Sequence, residues 1–325
     1  MKNINQHKTD FIDKILGIIS LEKGLSQNTK IAYKKDISLV FDWFEKNNVN
    51  FLKANENSFR NFLIFLQNNN YKPSSLNRKL SSLKQFYEIL KEEKYIKINP
   101  LNNFESFKKV KNLPKSLSEE HLILLLKTAE ENYKNVDEHN FPKKMKKLRL
   151  YTILEILYST GMRISELIRL PLSDFIKIND LLQIKGKGDV YRHVVFNEEA
   201  KKAIEIWLKF RSSIEIFINN KYMFPSNNGI GHISRQYINK DLSELSKGQN
   251  INFPDVSPHQ IRHSFATHLL NRGADLRSLQ KLLGHADIST TETYTKVQSK
   301  KLAGLINDIH PLNKIDINDK ESFKT

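Results

Sequence analysis

The stretch Ser257–Lys296, SPHQIRHSFATHLLNRGADLRSLQKLLGHADISTTETYTK, gathers the residue types that a phosphodiester-cutting site needs: His259 and Arg262 three apart, then His285, then Tyr294. A guanidinium stays charged, and its planar fork donates two parallel hydrogen bonds to the nonbridging oxygens of a phosphate. Imidazoles add hydrogen bonds, and His259 is the better candidate to accept a phenolic proton. The phenol of Tyr294, with an ordinary pKa of about 10, is a poor nucleophile until nearby cations lower that value. His259 and His263, at i and i+4, have the spacing of a metal pair. Arg262 on the same side would repel the ion, no Glu follows His259 and the chain has no cysteine, so no metal site is expected.

Three consecutive helices must present these groups. Ser257 suits the N-cap of the first and Pro258 its first turn, while Ile261, Phe265, His268 and Leu269 fall on one side and Gly273 follows as a stop. His259 and Arg262 lie off that apolar face, about a sixth of a turn apart. Asp275 opens the second helix, whose Leu279, Leu282 and Leu283 keep helical spacing until Gly284 ends it and leaves His285 just beyond. Ser289 with Glu292 three residues on is a capping-box signature, which puts Tyr294 in a short third helix. His263, His268, Tyr33, Tyr151 and Tyr158 are expected to pack or cap and not to react.

His259-Gln-Ile-Arg262-His263, Leu283-Gly284-His285 and Thr293-Tyr294, separated and in this order, resemble the signature of the tyrosine recombinases, most closely the XerD branch of that family. The resemblance runs from about Leu21 to about Leu305. Taken alone, Arg163 reads as a helix-end ion pair with Glu166; the resemblance implies that it is the family's first catalytic arginine, with Glu166 as an orienting neighbour. Taken alone, Gly186-Lys187-Gly188 reads as a solvated turn without P-loop spacing. The resemblance implies that Lys187 acts at the scissile phosphate, with Lys185 and Arg192 ranked below it. The implied catalytic set is thus Arg163, Lys187, His259, Arg262 and His285, with Tyr294 as nucleophile. Lys187 would protonate the 5′-hydroxyl leaving group, and Tyr294 would be left in a 3′-phosphotyrosyl bond that can be reversed without ATP, metal or any other cofactor.

The same resemblance implies a mainly α, two-domain fold: an N-terminal helical, SAM-like core-binding domain and a C-terminal α-rich catalytic domain with a small β-hairpin. It further implies double-stranded DNA with a dif-like site as substrate, a XerC-type recombinase as partner in a heterotetramer, and an FtsK-type translocase as activator, with chromosome-dimer resolution as the duty. Two rivals stand beside it: an integrase of a mobile element, and a catalytically silent DNA-binding protein that kept the fold.

Composition points the same way. The 325 residues are enough for two cored domains, and 52 Lys and Arg against 36 Asp and Glu leave a net +16, for which a polyanion is the first candidate partner. The absence of cysteine excludes disulfides and thiolate chemistry and fits a reducing compartment. No long apolar run and no secretory core are seen, so a cytoplasmic protein without membrane insertion is expected.

Along the chain, residues 1–104 read as a four-helix DNA-binding domain. Its stripes are Phe11, Ile12, Ile15, Leu16 and Ile19; then Tyr33, Ile37, Val40, Phe41 and Phe44; then Phe59, Phe62, Leu63 and Leu66; and, after Ser74 or Ser75, Leu76, Leu80, Leu83, Phe86, Tyr87 and Leu90. The other side of the fourth helix carries Arg78, Lys79 and Lys84 among short polar residues, which suits phosphate contacts. Up to residue 110 there are 19 basic and 11 acidic residues, half of the chain's excess charge on a third of its length. Residues 105–116 read as a basic linker, 117–312 as the catalytic domain and 313–325 as a polar tail. Ser118 should cap a helix through Leu126, with 129–147 an inserted loop before a buried helix Leu148–Ser159. Leu181–Lys185 and Val190–Phe196 alternate as a hairpin. Arg235 and Gln236 open a polar helix and are candidate base-edge readers.

Overall fold

In the computed structural model, which describes residues 2–107, 116–176, 181–186, 191–248, 256–283 and 310–311, the apolar stripes of the N-terminal third close on one another as four helices. These are α1 (Lys2–Lys23), α2 (Gln27–Lys46), α3 (Glu56–Asn68) and α4 (Pro73–Glu92). Ser26 caps α2 by accepting from the Thr29 amide at 3.2 Å, and Asn55 does the same for α3 from the Ser58 amide at 3.0 Å. The α4 helix starts one residue before the expected serines. Pro73 takes the first position, where its missing N–H leaves no bond unmade, and Lys72 stands at the cap without a side-chain bond. The stripes bury Ile15, Ile37, Phe44, Phe59, Phe62 and Phe86 to 1% exposure or less. Their rings meet edge to face, Phe44 on Phe59 at 5.2 Å and Phe59 on Tyr87 at 5.0 Å, a geometry that matches ring edges to ring faces.

The chain divides into two compact units, Met1–Asn112 and Leu113–Thr325. Residues 104–107 are tied to α4: Asn77 exchanges two hydrogen bonds with the Phe107 backbone, at 2.7 and 2.8 Å, and Lys84 donates to the Phe104 carbonyl at 2.6 Å. Most of the expected linker, 108–115, lies outside the described residues, as does 313–325.

In the second unit, α5 (Glu119–Lys134) is capped by Ser118 and α6 runs Phe141–Thr160. The run 129–147 is therefore not a loop. It completes α5, turns over six residues and starts α6 at the Asn140 cap with Pro142 in the first turn, because Ala129, Tyr133 and Val136 supply a buried side that the density of charges conceals. From Leu148 to Thr160 every residue of α6 is buried, the mark of a central helix. Against it pack α5, α9 (Glu198–Ser212) and α11 (Pro258–Asn271). Two short helices, α7 (Ile164–Leu167) and α8 (Ser173–Ile176), follow α6. They lead into an antiparallel pair, β1 (Leu181–Lys185) and β2 (Tyr191–Val195), in which Lys185 faces Tyr191 and Ile184 faces Arg192. The helices α10 (Arg235–Lys247) and α12 (Leu276–Leu283) complete the described elements. Among the described residues, no helix is long and apolar enough to cross a membrane.

Candidate active site

The α6 helix ends at Gly161, whose φ of 61° is the left-handed conformation that lets a chain leave a helix sharply. A Cβ there would collide with the Phe265 ring, so only glycine permits this close approach of the α6 end to α11. Two residues on, Arg163 stands at the N-cap of α7 in extended conformation. Its backbone N–H donates to Glu166 Oε2 at 2.8 Å and its Nη1 donates to Oε1 at 2.9 Å. The local ion pair anticipated from spacing is real. What the spacing did not disclose is a second arginine on the same carboxylate.

That arginine is Arg192, 4% exposed, which reaches from β2 with Nη2 to Oε2 at 2.6 Å and Nη1 to Oε1 at 3.1 Å. Burial works to raise the Glu166 carboxyl, but the Arg192 bonds, the Arg163 amide, the Arg192 charge and the Arg163 side-chain bond outweigh it and hold the carboxyl below its usual range. Arg192 is thus turned inward, on the face of β2 that also buries Val194. Its fork is committed to Glu166.

Arg262 arrives from α11. Ser257 caps this helix by accepting from the Gln260 amide at 3.3 Å, and the Gln260 side-chain oxygen accepts in return from the Ser257 amide at 2.9 Å, a full capping box of which only the Ser257 half was anticipated. Arg262 is 7% exposed and donates through Nη1 to the Gly161 carbonyl and through Nη2 to the Leu283 carbonyl, both at 2.6 Å. These are the C-terminal carbonyls of α6 and α12, each end carrying about half a negative charge, which offsets the burial of a cation. Burial first, then the charges of Arg163 and Arg192, bring its pKa down to about 10, so it remains charged at neutral pH. Arg163, Arg192 and Arg262 therefore share one electrostatic neighbourhood, with Glu166 as its carboxylate. His259 is exposed in the first turn of α11, three residues before Arg262.

Lys187, His285 and Tyr294 lie outside the described residues. The flanks of the segment that carries the last two are both anchored: Leu283 by Arg262, and His310 by an Nε2 bond of 3.0 Å to the Tyr158 carbonyl. His310 is fully buried, and burial lowers its pKa to about 4, so it sits there neutral. His268 and Tyr158 are both buried, and they meet each other. The Leu117 carbonyl can only accept, so His268 donates to it from Nε2 at 2.8 Å, which leaves Nδ1 to accept from the Tyr158 hydroxyl at 3.0 Å.

In the N-terminal unit the three cations read onto one face of α4 separate. Lys79 is buried, 6% exposed, with Nζ 2.7 Å from the buried Asp36 of α2 and 5.3 Å from the Tyr71 ring. It is a core ion pair and not a solvent-facing phosphate contact, because position 79 falls in the stripe of Leu76, Leu80 and Leu83. Ser82, at 0% exposure, shares that fate. Arg78 also pairs with Asp36 but leaves 46% of its side chain exposed, and Lys84 is half-buried beside a cavity of about 290 Å³ lined by Asn77, Leu80, Ser81, Lys84, Gln85 and Ser106. Arg235 and Gln236 are exposed in the first turn of α10, behind the Ser234 cap. Among the described residues no cluster of His, Asp and Glu has the makings of a metal site.

Comparison with known proteins extends this picture. Residues 115–301 match the phage integrase family, and residues 12–94 match the phage integrase N-terminal SAM-like domain. The chain is 36% identical over 304 residues to the tyrosine recombinase XerD of Rhizobium meliloti (strain 1021), spanning 94% of this chain and 96% of the relative. To the tyrosine recombinase XerD of Rickettsia bellii (strain RML369-C) it is 33% identical over 317 residues, 94% and 99% of the two chains. In fold it is similar to the XerH site-specific recombinase bound to a palindromic difH substrate, with a TM-score of 0.65, 20% identity and coverage of 94% of this chain and 82% of that one. The Tn1549 transposon integrase in complex with circular intermediate DNA gives a TM-score of 0.63 at 18% identity, covering 89% and 98%.

Proposed function

This chain belongs to the phage integrase family, the tyrosine recombinases, and from that premise we propose that it cleaves and rejoins DNA through Tyr294, with Arg163 and Arg262 at the scissile phosphate. The observation that carries the reading is the meeting of Arg163 and Arg262, a hundred residues apart in sequence, in one neighbourhood of positive charge. Phosphoryl transfer asks chiefly for positioning and for charge stabilisation at phosphorus, and two fixed guanidinium groups supply both. In the described residues Arg262 commits one N–H on each terminal nitrogen to a carbonyl, and the remaining donors of its fork are available for phosphate oxygens.

The Tyr294 oxygen attacks phosphorus as its proton passes to a base, for which the exposed His259 is the candidate; a phosphotyrosyl bond forms and the bond to the 5′-oxygen breaks. Lys187 gives its proton to that oxygen, since an ammonium among arginines deprotonates more readily than a free one. His285 adds a hydrogen bond to the phosphate. Attack by the 5′-hydroxyl of another strand reverses each transfer, so no external energy source enters. One nucleophilic tyrosine per chain means four chains for a complete exchange of two duplexes. Binding of the duplex draws on the exposed part of Arg78, on Lys84, and on Arg235 and Gln236 for base edges.

The substrate we propose is a dif-like site, in the cytoplasm, with a XerC-type partner in a heterotetramer and an FtsK-type translocase as activator; extended identity to relatives named XerD supports this duty. A nicked suicide duplex carrying such a site tests the chemistry. The wild-type chain should yield an SDS-resistant protein–DNA band, and Tyr294→Phe should lose the band while keeping its affinity for the duplex. Binding without any covalent band from the wild-type chain would favour the silent DNA-binding protein instead.

A further inference from the structure

We propose that Arg192 is a positioning residue for strand cleavage: through Glu166 it holds Arg163 in place and completes the positive field that receives the scissile phosphate. The inference rests on the reading of Arg163 as a phosphate contact.

Four hydrogen bonds converge on the Glu166 carboxylate, two from Arg192 and two from Arg163, one of the latter from its backbone. The two arginines are not equivalent. Arg163 keeps 38% of its side chain exposed, whereas Arg192 is 4% exposed and its Nε is buried with no partner among the described residues. A buried cation is an expensive way to fill space, since an apolar side chain of similar volume commonly serves stability as well or better. An arginine at this point of β2 is explained by what it does to Glu166: its fork meets both carboxylate oxygens, fixes their plane and keeps them ionised. With Glu166 so held, Arg163 is oriented by its Nη1 bond and its other donors stay clear. Three guanidinium groups then share the neighbourhood of one carboxylate, and the surplus positive charge that presses on Arg262 favours an anion there. Arg192 sets both of its terminal nitrogens on the Glu166 oxygens, so it acts through that carboxylate. Its strand partner, Ile184, is buried at 1%, which locks that part of the hairpin to the core.

The test compares single-turnover formation of the covalent complex, at saturating protein, on two nicked dif-like duplexes. One has an ordinary scissile phosphodiester; the other has an uncharged methylphosphonate there, which no longer calls for charge neutralisation by arginine. Arg192→Met should slow cleavage of the phosphodiester about 10- to 100-fold. Its duplex affinity should stay within about 2-fold of wild type, because no phosphate contact is lost, and Arg192→Lys should recover part of the rate. On the methylphosphonate the deficits of Arg163→Ala and Arg192→Met should both shrink. If Arg163→Ala is relieved and Arg192→Met is not, or if the Arg192 deficit merely follows a matching loss of thermal midpoint and duplex affinity, the positioning role is wrong. If Arg163→Ala is not relieved either, the phosphate-contact reading of Arg163 fails and takes the proposal with it. Should Arg192→Met not fold, Arg192→Lys carries the same comparison: a phosphodiester-specific deficit supports the role, and an equal deficit on both substrates overturns it.

Discussion

The two units contain the same device used to different ends. In the N-terminal unit the buried Asp36 holds one buried cation, Lys79, and one half-exposed arginine, Arg78. In the C-terminal unit Glu166 holds one buried cation, Arg192, and one half-exposed arginine, Arg163. Each carboxylate thus converts a flexible arginine into a fixed donor, with the inner cation as ballast. The difference is the third cation. Arg262 stands within electrostatic reach of the Glu166 cluster, carried by a helix remote in sequence and braced on two helix ends, whereas the Asp36 cluster has no counterpart to it among the described residues. One arginine held over a surface can grip a phosphate; two aimed at one neighbourhood can stabilise charge that grows during a reaction.

Breaking the inner carboxylate of the first cluster should have the largest effect, and on stability. Asp36→Ala leaves Lys79 buried without a counter-ion, a loss of about 3 kcal/mol that a shift of the denaturant midpoint would register, while the rate of the chemical step at saturating DNA stays near wild type. The converse holds for the third cation of the second cluster. Arg262→Gln should slow covalent-complex formation about 100-fold, or about 2.7 kcal/mol in the transition state, at nearly unchanged duplex affinity. An unchanged rate would dissolve the distinction between the two units.

A smaller effect appears with pH in the Glu166 cluster. The folded Glu166 carboxyl lies below its ordinary value of 4.5, so its contribution to stability is complete above that value and fades as pH falls through the depressed one. Urea melts of wild type and Glu166→Gln should therefore differ at pH 7 and converge in the acid range below 4.5. Convergence at pH 6 would mean that the carboxylate is not held as described. Smallest of all, Arg78→Ala should weaken duplex binding by under about 1 kcal/mol and reduce the slope of log affinity against log salt by about one, the effect of removing the one phosphate contact proposed for it.

These two clusters also show what the sequence could tell. Helical stripes placed α1 to α4 and α11 because each has one apolar side, and periodicity reports a side directly. The same periodicity carried the true position of Lys79, three after Leu76 and four before Leu83, but a lysine beside an exposed arginine invites assignment by charge instead of by register. Arg192 had a similar signal in its two-residue spacing from the buried Val194. The helix ends hidden in 129–147 were obscured by charge: the end of α5 buries Ala129 and Tyr133, and the first residues of α6, 141–147, bury none. Nothing local could announce that Arg262 spans the Gly161 and Leu283 carbonyls, because those partners are separated by more than a hundred residues and meet only when α6, α11 and α12 pack.

The most direct measurement is a structure of Tyr294→Phe bound to an uncut duplex carrying the target site. Arg163 and Arg262 should each donate to nonbridging oxygens of the same phosphate, with the residue 294 ring in line behind it. Guanidinium groups bound to different phosphates, or a residue 294 ring remote from any phosphate with no neighbouring protomer's ring in its place, would contradict the proposed reaction.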